Sequence, residues 1–187
     1  MKDLNTQFYT NSYEKYGISA KGVHWHSKKT QYIRFEILIT FLDNIENSSI
    51  IDIGCGFAEI LNFFEEKKIK PDIYLGLDCE EFMIETSRKR FPKHLFLKCN
   101  ILKHEIPTAD YLICSGALNI LTKQDFLKAI EYCFNSSKKG FAFNFLKENS
   151  IHKLEKKDIL KYCKSLTLKV TIRDNYLVND CSFFLEK

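Results

Sequence analysis

Apolar residues recur along this chain in two alternating patterns. Short, nearly continuous apolar runs bounded by Gly, Pro, Asn or Asp stand between longer segments whose apolar positions repeat every third or fourth residue. The first pattern marks buried strands and the second marks amphipathic helices. Near the start, Phe8, Tyr9, Tyr13 and Tyr16 predict a short helix with one aromatic face, ended by Gly17. A loop containing Gly22, His24, Trp25 and His26 follows. Ser27 can cap a long helix over about 28–45, with Arg34, Leu38, Phe41, Leu42 and Ile45 on its inner face.

From there strands and helices alternate. Ile50, Ile51 and Ile53 form a strand that runs into Gly54-Cys55-Gly56, and a helix opens at Ala58. Further strands are predicted over 73–78, 94–101, 110–115, 141–146, 166–173 and 181–186. Intervening helices are predicted over 80–91, stopped by Pro92, from Thr122 to about 135, and over 156–164, with Lys139-Gly140 as the breaker before the fifth strand. Leu166, Leu168, Val170 and Ile172 alternate with polar residues, and a turn over 175–180 leads into the last strand. The expectation is an α/β fold: a doubly wound, mostly parallel seven-stranded sheet with a C-terminal antiparallel hairpin strand and an N-terminal helical cap. It is read as one domain over 1–187, with 1–26 as cap or lid and 27–187 as the Rossmann-like core.

The bend at 54–56 organises the candidate chemistry. Its glycines let a ligand approach the main chain, and such a bend is expected to bring bare N–H groups to the carboxyl edge, where open α/β sheets bind ligands. A dinucleotide fingerprint needs Gly-x-Gly-x-x-Gly, but its last position here is Glu59, whose carboxylate opposes a phosphate. A ligand without phosphates that carries a positive centre suits the bend better, and Asp52 adds a second acid. Asp78 ends the second strand 22 residues after Gly56, where an acid can accept from both ribose hydroxyls; capping the next helix is its alternative role.

Asp52, Gly54, Gly56 and Ala58 match acidic-x-Gly-x-Gly-x-Gly/Ala, and from about Ser27 onward the chain resembles the class I S-adenosylmethionine-dependent methyltransferases. The resemblance implies S-adenosyl-L-methionine as cofactor, held by Asp52, Gly54, Cys55, Gly56, Asp78, Cys79, Met83, Asn100, Ile101, Ser115 and Gly116. Met83 would pack on the adenine, and the Asn100 carbonyl would accept from its amino group where relatives often carry Asp. Ser115-Gly116-Ala117-Leu118-Asn119 would lie beside the transferred methyl, with Asn119 orienting the acceptor. This loop lacks the Pro-Pro-aromatic run of enzymes that methylate exocyclic base amines, so a small-molecule acceptor is expected. Arg34 is a candidate for the methionine carboxylate, with Asp52 or Glu36 as alternative partners. His24 and His26 are candidate general bases. Tyr13, Tyr16 and Trp25 are candidates for a lid over the acceptor, and Tyr176, with Asn175, is an acceptor-side candidate in the last hairpin.

Composition narrows the partners. Net charge is +4, but the basic runs Lys67-Lys68, Arg88-Lys89-Arg90 and Lys138-Lys139 fall at predicted helix ends and read as solvated faces, so nucleic acid is not expected. No long apolar run predicts a membrane span, and the N-terminus lacks the apolar core of a signal peptide. Seven cysteines without a Cys-x-x-Cys pair argue for reduced thiols in the cytoplasm and against a metal site. No heptad marks an oligomer interface. The expected function is methyl transfer from S-adenosyl-L-methionine to an O, N or S atom of a small molecule. A catalytically silent S-adenosylmethionine-binding protein with a protein partner and a nicotinamide-dependent oxidoreductase are the alternatives.

Overall fold

The computed structural model describes residues 11–19, 22, 27–148, 151 and 153–187. After a helical stretch over 11–16, the elements run α1 (Lys28–Ile39), β1 (Ser49–Ile53), α2 (Glu59–Lys67), β2 (Ile73–Asp78), α3 (Glu81–Arg90), β3 (Leu95–Lys98) and β4 (Ala109–Ser115). Then come α4 (Lys123–Ser136), β5 (Ser137–Leu146), α5 (Lys156–Leu166), β6 (Val170–Asp174) and β7 (Asp180–Glu186). They build a seven-stranded sheet in the order β3-β2-β1-β4-β5-β7-β6. The first five strands in that order are parallel, and β7 pairs antiparallel with both β5 and β6. The doubly wound sheet closed by an antiparallel hairpin is the architecture its strand and helix patterns predict.

Local chemistry sets the ends of the elements. The Ser27 hydroxyl accepts from the Thr30 N–H at 3.2 Å and starts α1, and Thr122 does the same for α4 through the Asp125 N–H at 3.3 Å. The first helix stops at Ile39, short of its predicted end, and a left-handed Asn44 turns the chain into a 3₁₀ turn over Ile45–Asn47. Gly140 is not a helix breaker: α4 ends at Ser136 and passes straight into β5. Glycine is required at 140 because a Cβ there would stand 2.5 Å from the Phe184 ring and 2.6 Å from the Leu185 carbonyl oxygen of the paired strand. The apolar alternation from Leu166 also overreaches. Leu166 belongs to α5, β6 begins at Val170, and Leu168 is 93% exposed.

Each face of the sheet carries its own core. Ile51, Ile53, Leu112, Cys114, Phe141, Phe143, Phe145 and Phe183 meet α4 and α5 on one side. Phe143 stacks on Phe141 and Phe183 at ring-centroid distances of 5.2 and 5.6 Å. On the other side Ile50, Tyr74, Ile113, Ala142 and Phe184 meet α1, α2 and α3. All seven cysteines are free thiols. Among the described residues no helix is long and apolar enough to cross a membrane.

Candidate functional site

The strand order reverses between β1 and β4, and ligands of open α/β sheets bind outside the carboxyl ends at such a switch point. A cavity of about 800 Å³ opens there. It is lined by the 52–57 bend, the ends of β2 and β3 and the 115–121 segment after β4, with Gln31 and Phe35 from α1 and Ile18 and Ser19 from the N-terminal segment.

The bend is tied to β2. Gly54 and Gly56 have φ of +68° and +54°, and a Cβ on Gly54 would stand 2.1 Å from the Ala117 Cβ. The N–H groups of Gly54 and Cys55 both donate to the Leu77 carbonyl, at 2.8 and 3.0 Å. The Gly56 N–H donates to Asp78 Oδ2 at 2.9 Å. The bare N–H groups expected at the bend are therefore occupied, because parallel pairing of β1 and β2 brings the end of β2 against it. This corrects the expected cradle and supplies a second reason, besides Glu59, against a pyrophosphate. Glu59 itself is held by Arg90 Nη2 at 3.0 Å and Asn62 Nδ2 at 2.9 Å, while Arg90 also donates to the Phe57 carbonyl.

Two acids face the cavity floor, Asp52 buried and Asp78 half-buried. Asp78 accepts from the Gly56 and Glu80 N–H groups, at 2.9 and 3.0 Å. Burial nevertheless pushes its pKa up to about 6. Asp52 accepts from the Tyr74 hydroxyl at 2.9 Å, and burial, opposed by that hydrogen bond and reinforced by the Asp78 charge, raises its pKa to about 7. Both are acids that a nearby cation would ionise.

Of the residues expected around the cofactor, Asp52, Gly54, Cys55, Gly56, Asp78, Cys79, Met83, Asn100, Ile101, Ser115 and Gly116 all line this cavity. Met83 is buried in its wall. The Asn100 side-chain carbonyl accepts from the Leu102 N–H at 3.0 Å, and its own N–H donates to His104 Nδ1 at 3.0 Å. Asn119 lines the cavity while its Oδ1 accepts from the Leu146 N–H at 2.9 Å.

Four expectations are corrected. Arg34 does not line the cavity; its guanidinium makes a two-pronged pair with Asp180, Nε–Oδ1 at 2.5 Å and Nη2–Oδ2 at 2.7 Å, both side chains buried. The partner is neither of the acids foreseen, because the return of β7 beside β5 brings Asp180 under α1. Tyr13 is not among the lining residues and packs on Phe57 and Phe82, at centroid distances of 5.4 and 5.7 Å. Tyr16 lies off the cavity and is 43% exposed. Tyr176 lies outside the lining and shares a 2.7 Å hydrogen bond with Ser182. His24, Trp25 and His26 lie outside the described residues.

The sequence did not single out Gln31. It is 5% exposed, lines the cavity, and its Oε1 has no hydrogen-bond partner among the described residues. Its only signal was position, one helical turn before Arg34 on the same face.

Residues 50–140 match the family model described as a methyltransferase domain. The Mycobacterium tuberculosis protein named "Putative methyltransferase Rv1506c" is 30% identical over 108 residues, 52% of this chain and 63% of that protein, so the match spans less than two thirds of the relative. Among solved structures, an S-adenosylmethionine-dependent methyltransferase of Leishmania major superposes with a TM-score of 0.73 at 12% identity, covering 97% of this chain and 82% of that one. The magnesium protoporphyrin IX methyltransferase ChlM of Synechocystis PCC 6803, crystallised with bound SAM, gives 0.67 at 12% identity over 85% and 78%. The fold and the bend thus define a methyltransferase-type sheet. Residues 50–140, just under half of the chain, are similar to a methyltransferase domain, and the sheet as a whole shares the fold of S-adenosylmethionine-dependent methyltransferases.

Proposed function

We propose that this chain binds S-adenosyl-L-methionine and transfers its methyl group to an O, N or S atom of a small, largely apolar acceptor. The observation that carries the reading is the bend at 54–56. Its N–H groups are spent on β2, the acids Asp52 and Asp78 line its floor, and the cavity beside it suits a nucleoside with a cationic tail rather than a phosphate.

The bound cofactor supplies an electrophilic methyl on a sulfonium sulfur, open to in-line attack. The residues of the chain position and enclose the two reactants. Asp78, fixed by two backbone N–H groups, keeps lone pairs for ribose hydroxyls. Met83, Cys99 and Ile101 give the adenine an apolar wall, with Asn100 at its rim. Leu118, Ile120, Leu121, Leu146 and Ile151 line the opposite side, where the acceptor enters, and Asn119 is held by the Leu146 N–H to orient it. Apolar walls exclude water from the transfer. Placement alone contributes up to roughly 7–11 kcal/mol to such a reaction, so a strong general base is not essential; His24 and His26 are the candidates for one by residue type alone. Ile18 and Ser19 on the cavity rim fit residues 1–26 as its cap, within one domain over 1–187. Free thiols throughout fit a reducing, cytoplasmic setting.

Equilibrium dialysis of the purified chain against labelled S-adenosylmethionine and labelled NAD tests this reading. Retention of the first alone is expected. Retention of NAD alone, or of neither, overturns it.

A further inference from the structure

The end of the cavity away from the nucleoside has an unusual charge balance. A ligand whose ribose is held at Asp78 and whose base lies toward β3 must send its other end across β1 toward β4. There α1 packs on β4, β5 and β7 and brings Gln31 into the lining. The one arginine on this helix face is engaged by Asp180 and stands outside the lining. Among the described lining residues the lysines are Lys98, which ends β3, and Lys103, which follows it with His104, all at the nucleoside end. The acids Asp52 and Glu59 lie at the bend.

Gln31 Oε1, Ser115 Oγ and Asn144 Oδ1 are buried in this region and have no hydrogen-bond partner among the described residues. Ser115 and Asn144 are register partners on β4 and β5, so their side chains stand together on the α1 face. Asn144 Nδ2 donates to Asp180 Oδ1 at 3.2 Å, which fixes its amide with the carbonyl oxygen turned away from that carboxylate. A buried acceptor without a donor costs about 1–3 kcal/mol; the two amide oxygens can only accept, the Ser115 hydroxyl can accept or donate, and together they favour a ligand that supplies donors. Gln31 and Ser115 are the two that line the cavity. An ammonium group offers three donors and a positive charge; a carboxylate offers only acceptors and a charge of the wrong sign for Asp52.

We propose that this site recognises its ligand's amino-acid end through the ammonium group, with Gln31 as principal acceptor, and that the carboxylate contributes little to affinity. The inference rests on the methyltransferase reading, and goes beyond it in assigning Gln31 and in naming the charge that is read.

Two analogues of S-adenosylhomocysteine, each lacking one of its two charged groups, separate the charges. S-adenosyl-3-thiopropylamine keeps the amine, and 4-(adenosylthio)butanoate keeps the carboxylate. Isothermal titration of the wild-type chain is expected to show the amine within about threefold of S-adenosylhomocysteine and the butanoate about tenfold weaker or worse, the size of one charge-assisted hydrogen bond. In Gln31→Met, of similar size, the amine is expected to weaken about tenfold with the butanoate little changed. Gln31→Glu is expected to widen the preference for the amine. Both variants are checked for an unchanged melting transition. Should Gln31→Met not fold, the wild-type and Gln31→Glu titrations decide. Butanoate binding equal to or tighter than the amine, or an amine affinity indifferent to Gln31, overturns the inference. Failure of the wild-type chain to bind S-adenosylhomocysteine overturns the underlying reading instead.

Discussion

The two faces of the sheet are built from different chemistry. Toward α4 and α5 the buried strand residues are apolar, chiefly Ile, Leu, Phe and Cys. Toward α1 and α2 the same strands interleave apolar residues with Tyr74–Asp52, Ser115, Asn144, Ser182 and the Arg34–Asp180 pair. Burying polar groups is costly unless they are paired, so a fold keeps them inside where they position something. The first face holds the sheet together. The second, near its carboxyl edge, is where the cavity and the unpartnered atoms gather.

The sharpest break of this contrast is Arg34→Met. It strands Asp180 as an uncompensated buried charge, and a loss of about 3–5 kcal/mol in urea denaturation is expected. Adding Asp180→Leu is expected to recover part of that loss, which would show that the pair serves placement of α1 more than net stability. Gly54→Ala comes next. Its Cβ would collide with that of Ala117 at a φ of +68°, so a loss of about 1–3 kcal/mol and weakened cofactor binding are expected. On the apolar face Phe143→Leu keeps the chemistry and loses volume. About 1–1.5 kcal/mol is expected there, with cofactor affinity unchanged by titration.

The smallest effect is pH dependence. Asp52 and Asp78 have folded pKa values near 7 and 6, above their ordinary value of 3.8. Between about pH 4 and 7 the folded chain holds protons that the unfolded chain has released, so unfolding releases protons. The contribution of these acids to the ligand-free fold is therefore present at low pH and lost as pH rises through that window. A cationic ligand has the opposite preference, for the ionised acids. Melting of the free chain is expected to move down from pH 5 to pH 7, while affinity for S-adenosylmethionine rises. Asp174, held near 2 by Lys156 and Lys147, titrates below this range and does not mask the trend.

Much of this was legible in the sequence. The pattern from Asp52 to Gly56, the spacing to Asp78 and the caps at Ser27 and Thr122 are local signals, and local signals survive without coordinates. What escaped depends on contacts distant in sequence. Arg34 was recognised as buried, but its partner stands 146 positions away on a strand whose place beside β5 only the folded sheet reveals. The glycine bend was recognised as a ligand edge, but not that β2 would consume its N–H groups. Gln31 looked like any polar residue on a helix. Leu168 kept the period of a strand and lies in solvent, because alternation reports a two-residue repeat and not which strand ends the sheet.

The central claim is that Asp78 holds the ribose of a phosphate-free nucleoside cofactor. Titration of S-adenosylhomocysteine into wild type and Asp78→Ala, with circular dichroism confirming the fold of the variant, tests it most directly. Saturable binding by the wild type and a loss of about tenfold or more in the variant is the expected result. Equal affinities in the two proteins would contradict it.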